Sequence, residues 1–325
     1  MSAEIETSPM IVSFIIPHKG RTEMLEQTVA SVLNLQHTNM ELEILIVTQN
    51  DHLDIGFPET PGTHVRVFQQ PASLTISHLR NYGFSQSKGE YIAYLDADVA
   101  LSENWLEAMV NLLQQDPGRV LVSAVQKNSE EAPVLEKIRT ALSNADIDCE
   151  LSFLPGRNLF MRRDTVDRVG GFPEHLTTCE DYYFTYRVSE LGVMYYSSDA
   201  DYVHLGEDKE LKAMFDKEIW RGQSNLHSIK GRKIPLSEIP SFLVPMWILF
   251  FALAFVLSGL MGHLSLSVIC LVFAFLPILA YSVRLYGVAN REIEFTEIFK
   301  FYLVYFPARI IGTLVGLFKS IGAGS

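Results

Sequence analysis

The chain has 325 residues, 48% of them hydrophobic, enough for one sizeable core and something more. Its formal net charge of −12 argues against nucleic acid as the main partner, because a phosphate backbone is met by a basic face. The three cysteines, Cys149, Cys179 and Cys270, are odd in number and widely spaced, which excludes a disulfide framework or a zinc spacing and fits a reducing compartment.

The opening MSAEIETSPM has no basic start and no apolar core, so no signal peptide is expected. Ile11–Pro17 (IVSFIIP) then reads as a buried strand. Thr22–Leu35 has helical spacing, with Leu25, Val29 and Val32 on one side. Strands are expected at Glu43–Val47, Val65–Phe68, Tyr91–Leu95 and Val120–Val125, and helices at Ser77–Ser87 and Glu103–Gln115. This alternation predicts an α/β fold with a mainly parallel, Rossmann-like sheet covered by helices on both faces. Asn128–Glu150 is polar and reads as an excursion, helical near Val134–Leu142. Further on, Tyr182–Leu191 and Lys209–Ile229 are expected as helices, Tyr202–Leu205 as a short strand, and Ile234–Pro240 as a linker.

The C-terminal part is of another kind. Phe242–Met261 and Leu264–Val283 are uncharged runs of 20 residues, each about 30 Å long as a helix, which is the thickness of a bilayer core. Two helices buried in a soluble core are the plainer alternative, but such helices are usually shorter and keep a polar stripe. A third run, Phe301–Phe318, carries Arg309 near its middle. A charge at that depth is costly, so this run either spans beside a polar partner or, as favoured here, lies at the interface or re-enters. Lys230, Arg232 and Lys233 precede the first span, Arg284 and Arg291 follow the second, and the Gly262-His263 link holds no Lys or Arg. The positive-inside rule then predicts a cytoplasmic domain over residues 1–233 and a membrane domain over 234–325.

The strand Tyr91–Leu95 runs into Asp96 and Asp98. In open α/β sheets, ligands bind at the carboxyl ends of the strands. Two carboxylates two apart on extended chain point to one side, and together suit one hard divalent cation that also holds a substrate diphosphate. An ordinary surface turn is the bland alternative.

With this doublet, VSFIIPHKGR (Val12–Arg21), RNYGFSQSKGEYIAYLDADV (Arg80–Val99) and GGFPEHLTTCEDYYFTYRV (Gly170–Val188) occur in one order before the hydrophobic tail. The chain over Ile11–Gln223 thus resembles the inverting family-2 glycosyltransferases of the GT-A fold. The resemblance implies that Pro17 and Arg21 lie at the nucleotide, that Arg80 reaches it, and that Asp96 and Asp98 hold Mn²⁺ or Mg²⁺ with the donor's ribose and diphosphate. His204 is implied as a further metal ligand, although a lone His among apolar neighbours is more often structural. Thr48 and Gln49 stand where the family often has paired aspartates; the Gln49 amide can read a uracil edge, and the departure leaves the base open.

Asp181 matches the family's general base, beside Glu180 on the acceptor side. The plainer alternative is two first-turn acids satisfying helix amides. Opening a helix, Asp181 is expected to stay ionised, favoured by the helix dipole. Trp220 and Arg221 resemble a segment that lines the donor and acceptor site, where the alternative for Trp220 is core. Gly170-Gly171-Phe172 is expected as a tight turn shaping the acceptor side.

The implied function is a metal-dependent, membrane-anchored hexosyltransferase. Its donor is a nucleotide-sugar, with UDP expected. Its acceptor is a hydroxyl of a polyprenyl-diphosphate-linked saccharide or glycolipid, as in polysaccharide or glycoprotein precursors. The expected location is the inner membrane, multi-pass, with the catalytic domain on the cytoplasmic face. A polyprenyl-phosphate glycosyltransferase, a processive synthase and a non-catalytic membrane scaffold are the rivals.

Overall fold

The structure, a computed structural model, describes residues 9–53, 55–58, 60–223, 236 and 238–322. The chain divides into two compact units, residues 1–129 with 146–206, and residues 130–145 with 207–325. The boundary expected at 233/234, and Lys230, Arg232 and Lys233, lie outside the described residues.

In chain order the elements are β1 (Met10–His18), α1 (Thr22–Leu33), β2 (Met40–Thr48), β3 (Thr63–Gln69), α2 (Ile76–Gln86), β4 (Tyr91–Leu95), β5 (Val99–Leu101) and α3 (Trp105–Gln115). There follow β6 (Arg119–Lys127), α4 (Val134–Ser143), β7 (Cys149–Glu150), β8 (Asn158–Arg162), α5 (Arg163–Val169), α6 (Glu180–Ser189), β9 (Val193–His204) and α7 (Leu211–Gly222). Three long helices end the chain, α8 (Ile239–Leu260), α9 (Leu264–Val288) and α10 (Phe295–Gly322).

The first unit is built on one sheet of order β3-β2-β1-β4-β8-β6-β9-β5, with β7 beside β9. Its strands are apolar on both faces because both are covered. Phe14, Ile16, Ile44, Ile46, Ala93 and Leu95 pack into one core, while Ile15, Leu45, Ile92 and Tyr94 pack into the other. The expected parallel sheet is found in β3-β2-β1-β4. β6 also runs parallel to β9, and antiparallel pairs make the whole sheet mixed. β8 runs antiparallel between β4 and β6, and β5 and β7 run antiparallel to β9. β8, NLFMR, has only three apolar residues, Leu159–Met161, between Asn158 and Arg162, too few to mark a strand in the sequence. In the parallel half, the pairing of His18 with Thr48 and of Ile15 with Tyr94 brings the carboxyl ends of β1, β2 and β4 to one edge.

The second unit gathers α4, α7 and the three long helices around Met214, Ile138, Leu285, Phe301 and Phe306. Ile239–Leu260, Leu264–Val288 and Phe295–Phe318 are each long and apolar enough to cross a membrane, with mean hydropathies of 2.3, 2.4 and 1.6. The third run is one continuous helix through Pro307, so the break a re-entrant segment needs is absent there. Arg309, its awkward charge, has a polar partner in Glu218 of α7, with Nη1 donating to Oε2 at 3.5 Å. α7 meets α10 backbone to backbone, and a Cβ on Gly312 would come within 2.6 Å of the Ile219 carbonyl oxygen. Between α8 and α9, Ser258 Oγ and Ser267 Oγ lie 2.9 Å apart, and Trp247 Nε1 donates to the Phe273 carbonyl at 2.9 Å.

Candidate active site

Arg80 organises the carboxyl-end edge of the sheet. It projects from α2, whose first turn is capped by Thr75 Oγ1 accepting from His78 N at 3.2 Å. Only 1% of the residue is exposed. Its Nη2 donates to Asp96 Oδ1 at 2.9 Å, just past β4, and its Nη1 donates to Glu180 Oε1 at 2.9 Å, at the start of α6. Nη2 also donates to the Gly156 carbonyl at 3.3 Å, and the guanidinium lies 4.8 Å from the Phe172 ring centroid. The next residue, Asn81, pairs with the Phe172 backbone, donating to its carbonyl at 2.9 Å and accepting from its N–H at 2.8 Å. The Arg80-Asn81 pair therefore holds both ends of the segment that leads to Glu180 and Asp181.

The two strand-end aspartates part company. The chain turns at Ala97 and Asp98 between β4 and β5, so the same-side rule for extended chain does not apply. Asp96 goes to Arg80, while Asp98 Oδ2 lies 2.7 Å from Arg21 Nη2 and its Oδ1 lies 3.4 Å from His204 Nε2. The pairing of Val99 with His204 across β5 and β9 sets the second meeting. Burial raises the Asp96 pKa against the pull of Arg80, and the neighbouring Asp98 charge adds to the rise. Among the described residues, no three His, Cys, Asp or Glu side chains form a cage for one cation. Asp98 and His204, both buried, do fit two positions of a divalent ion whose other ligands come from substrate; a carboxylate and an imidazole are donors that suit manganese. Asp96, held by Arg80, is near enough for the charges of Asp98 and His204 to act on it.

Asp181 accepts from Tyr182 N through Oδ1 at 2.9 Å and from Gly156 N through Oδ2 at 3.3 Å. Burial and the adjacent Glu180 push its pKa up to about 6, against Arg80 and these two N–H groups. The expectation that a helix start would favour the ionised form is thus outweighed by desolvation, and the carboxylate is still largely ionised at pH 7.

The remaining expected site residues fall as follows. Pro17 is buried near the end of β1, and Arg21 begins α1 with a left-handed φ of 31°. Gln49 spends its amide hydrogens on the Pro71 and Leu74 carbonyls, at 2.8 and 2.9 Å, which leaves its oxygen as the group for reading a base. Trp220 and Arg221 belong to the second unit. There Trp220 is 54% exposed, which removes the core alternative, and Arg221 Nη1 donates to Glu218 Oε1 at 2.7 Å. Gly156 was missed by sequence reasoning, although the Pro155-Gly156 step before an apolar run was a visible turn signal.

Residues 13–170 match the family model described as Glycosyl transferase family 2. The Glycosyltransferase AglE of Haloferax volcanii is 24% identical over 188 residues, covering 56% of this chain and 62% of the relative. The Pre-mycofactocin glycosyltransferase of Mycobacterium tuberculosis is 24% identical over 193 residues, covering 56% of this chain and 39% of the relative. The chain therefore spans less than two thirds of the length of either. Among solved structures, the mannosyltransferase PcManGT from Pyrobaculum calidifontis, in complex with GDP-Man and Mn²⁺, superposes with a TM-score of 0.60 at 15% identity. That likeness covers 97% of this chain and 88% of the neighbour, and makes the fold GT-A-like.

Proposed function

Residues 13–170 being a glycosyl transferase family 2 domain, we propose that this chain moves a sugar, with inversion, from a nucleotide-sugar to a hydroxyl of a membrane-held acceptor. The observation that carries the reading is the gathering of four carboxylates, Asp96, Asp98, Glu180 and Asp181, around Arg80 and Arg21 at the strand ends. Asp181 is the base. It accepts the proton of the incoming hydroxyl, and its raised pKa of about 6 makes it a better acceptor than an ordinary aspartate while it remains ionised at neutral pH. Glu180, fixed by Arg80, holds the helix start that presents Asp181. Asp98 and His204 would hold a divalent cation, which when bound supplies neutralisation of the departing diphosphate. Arg21 orients Asp98. Trp220 and Arg221 are assigned to the acceptor side.

The acceptor is a lipid-linked saccharide or glycolipid; the three apolar helices support this, and Lys and Arg placement supports a cytoplasmic catalytic face at the inner membrane. The donor base is read by the Gln49 oxygen together with the ends of β1 and β2. A uracil N3–H or a guanine N1–H meets an acceptor there, so both donor classes enter the test. Full-length protein in detergent is screened with UDP- and GDP-sugars, with and without Mn²⁺, for thermal stabilisation and nucleoside diphosphate release. The reading predicts metal-dependent release from one donor, lost in Asp98→Ala and in Asp181→Asn. Undiminished turnover by Asp181→Asn would sink the hydroxyl acceptor and favour an acceptor phosphate, which needs no base.

A further inference from the structure

Asp181 is carried by α6 but held by a loop that no motif marks. Leu151 N donates to the Met194 carbonyl at 3.0 Å, and the chain then runs to Gly156. The Gly156 N–H donates to Asp181 Oδ2 at 3.3 Å, while its carbonyl accepts from Arg80 Nη2 at 3.3 Å. A Cβ at this position would come within 2.9 Å of Arg80 Nη2, so only glycine lets the backbone approach so closely. Three residues earlier, Phe153 lies flat on Tyr182, with ring centroids 3.7 Å apart and planes 7° from parallel. Tyr182 follows Asp181 directly, and its own N–H donates to Asp181 Oδ1. The stack thus ties the loop to the helical turn that bears the base.

We propose that Phe153 is a positioning residue for proton transfer: by stacking on Tyr182 it docks loop 151–157 on α6 and keeps the Gly156 N–H on the Asp181 carboxylate. The inference rests on the reading of Asp181 as base. The charged groups facing Asp181 are Glu180 on its own helix and Arg80 on α2. The Gly156 N–H is one of the groups favouring the ionised carboxylate, so letting the loop drift makes that form harder to reach.

The test follows nucleoside diphosphate release from UDP- and GDP-sugars against pH, on the full chain in detergent with Mn²⁺. The wild type is compared with Phe153→Ala, Phe153→Tyr and Asp181→Asn. Phe153→Ala is expected to lower kcat by about three- to tenfold, the range an aromatic pair supplies. It should leave the donor KM unchanged and move the acid limb of the profile to higher pH. Phe153→Tyr keeps the ring face and should retain both. A folded Phe153→Ala with wild-type kcat and acid limb, beside an inactive Asp181→Asn, overturns the proposal and leaves the base in place. Wild-type turnover by Asp181→Asn overturns the base and this inference with it. Should Phe153→Ala not fold, Phe153→Leu, which keeps apolar bulk without a ring face, carries the same test.

Discussion

Arg80 in the first unit and Glu218 in the second are both almost closed to water, and each gathers charges of the opposite sign. Arg80 is one cation donating to two carboxylates, Asp96 and Glu180, with Asp181 close by. Glu218 is one carboxylate receiving three arginines, Arg139 at 3.2 Å, Arg221 at 2.7 Å and Arg309 at 3.5 Å. Burial acts on both centres in the same direction, toward the protonated acid. At Asp181 burial wins and the pKa climbs to about 6. At Glu218 burial also pushes upward, but Arg139, Arg221 and Arg309 outweigh it and hold the group below the usual carboxylate range. One centre keeps an acid, Asp181, that exchanges its proton near neutrality, as catalysis requires. The other keeps its acid permanently charged, as a brace joining α4, α7 and α10 requires.

The comparison breaks most sharply at Asp181. Asp181→Asn is expected to lower kcat by about 10²–10⁴-fold, the range of a general base, without lowering the melting temperature at neutral pH. Arg80→Met is next. It strands Asp96 and Glu180 without their shared cation, at a cost of about 3–5 kcal/mol in chemical unfolding. Arg80→Lys should recover only part of this, because an ammonium cannot span the two carboxylates as the planar guanidinium does. Glu218→Gln is expected to cost less, about 1–3 kcal/mol, since the amide keeps an acceptor for one arginine. A larger loss at Glu218 than at Arg80 would mean that the second centre is the more strained one, and the contrast would reverse.

Much of this was legible in the sequence, and the rest fails for physical reasons. β1, β2 and β4 are unbroken apolar runs, so their positions and the edge they share were readable, as was the helix that opens at Glu180-Asp181. β8 and β5 were not: β8, as short as β4, has only Leu159–Met161 apolar between Asn158 and Arg162, and β5 has three residues. The parting of Asp96 from Asp98 depends on a turn that two ordinary residues, Asp and Ala, do not announce. The ion pairs of Arg80 were not legible, because its partners lie 16 and 100 residues away, at distances only the fold closes. Gly156 shows as a Pro-Gly turn signal, but what it meets does not, because Asp181 and Arg80 lie 25 and 76 residues away.

The two centres also differ in how pH acts on them. Asp181 is active as a base only when ionised, so kcat/KM should rise about tenfold per pH unit up to about pH 6 and level above it. For stability the signs oppose. A carboxyl whose pKa is raised by folding, such as Asp181, costs stability as pH climbs from its unfolded value toward 6. A depressed one, Glu218, contributes stability above its unfolded value and loses it as pH falls through the folded one. Replacing Asp181 by Asn should therefore flatten the stability profile between about pH 4 and 6, and Glu218→Gln should flatten it below about pH 4. Unfolding midpoints across this range check both.

The smallest expected effect concerns a polar contact with no charge, between two of the apolar helices. Pro277 has no N–H, so the carbonyl of Phe273, four residues earlier in α9, lacks its helical donor. In an apolar surrounding such a group needs another partner, and Trp247 of α8 supplies it at 2.9 Å. Trp247→Phe keeps a ring in place but removes the donor, and is expected to cost about 0.6 kcal/mol in detergent unfolding. Pro277→Ala gives the carbonyl back its own helical N–H. In that background the loss on Trp247→Phe should shrink toward zero, which a double-mutant cycle measures directly. An equal loss in both backgrounds would show that Trp247 acts through packing against Phe251 and Phe273, its ring neighbours at 4.7 and 6.2 Å, with the carbonyl a bystander.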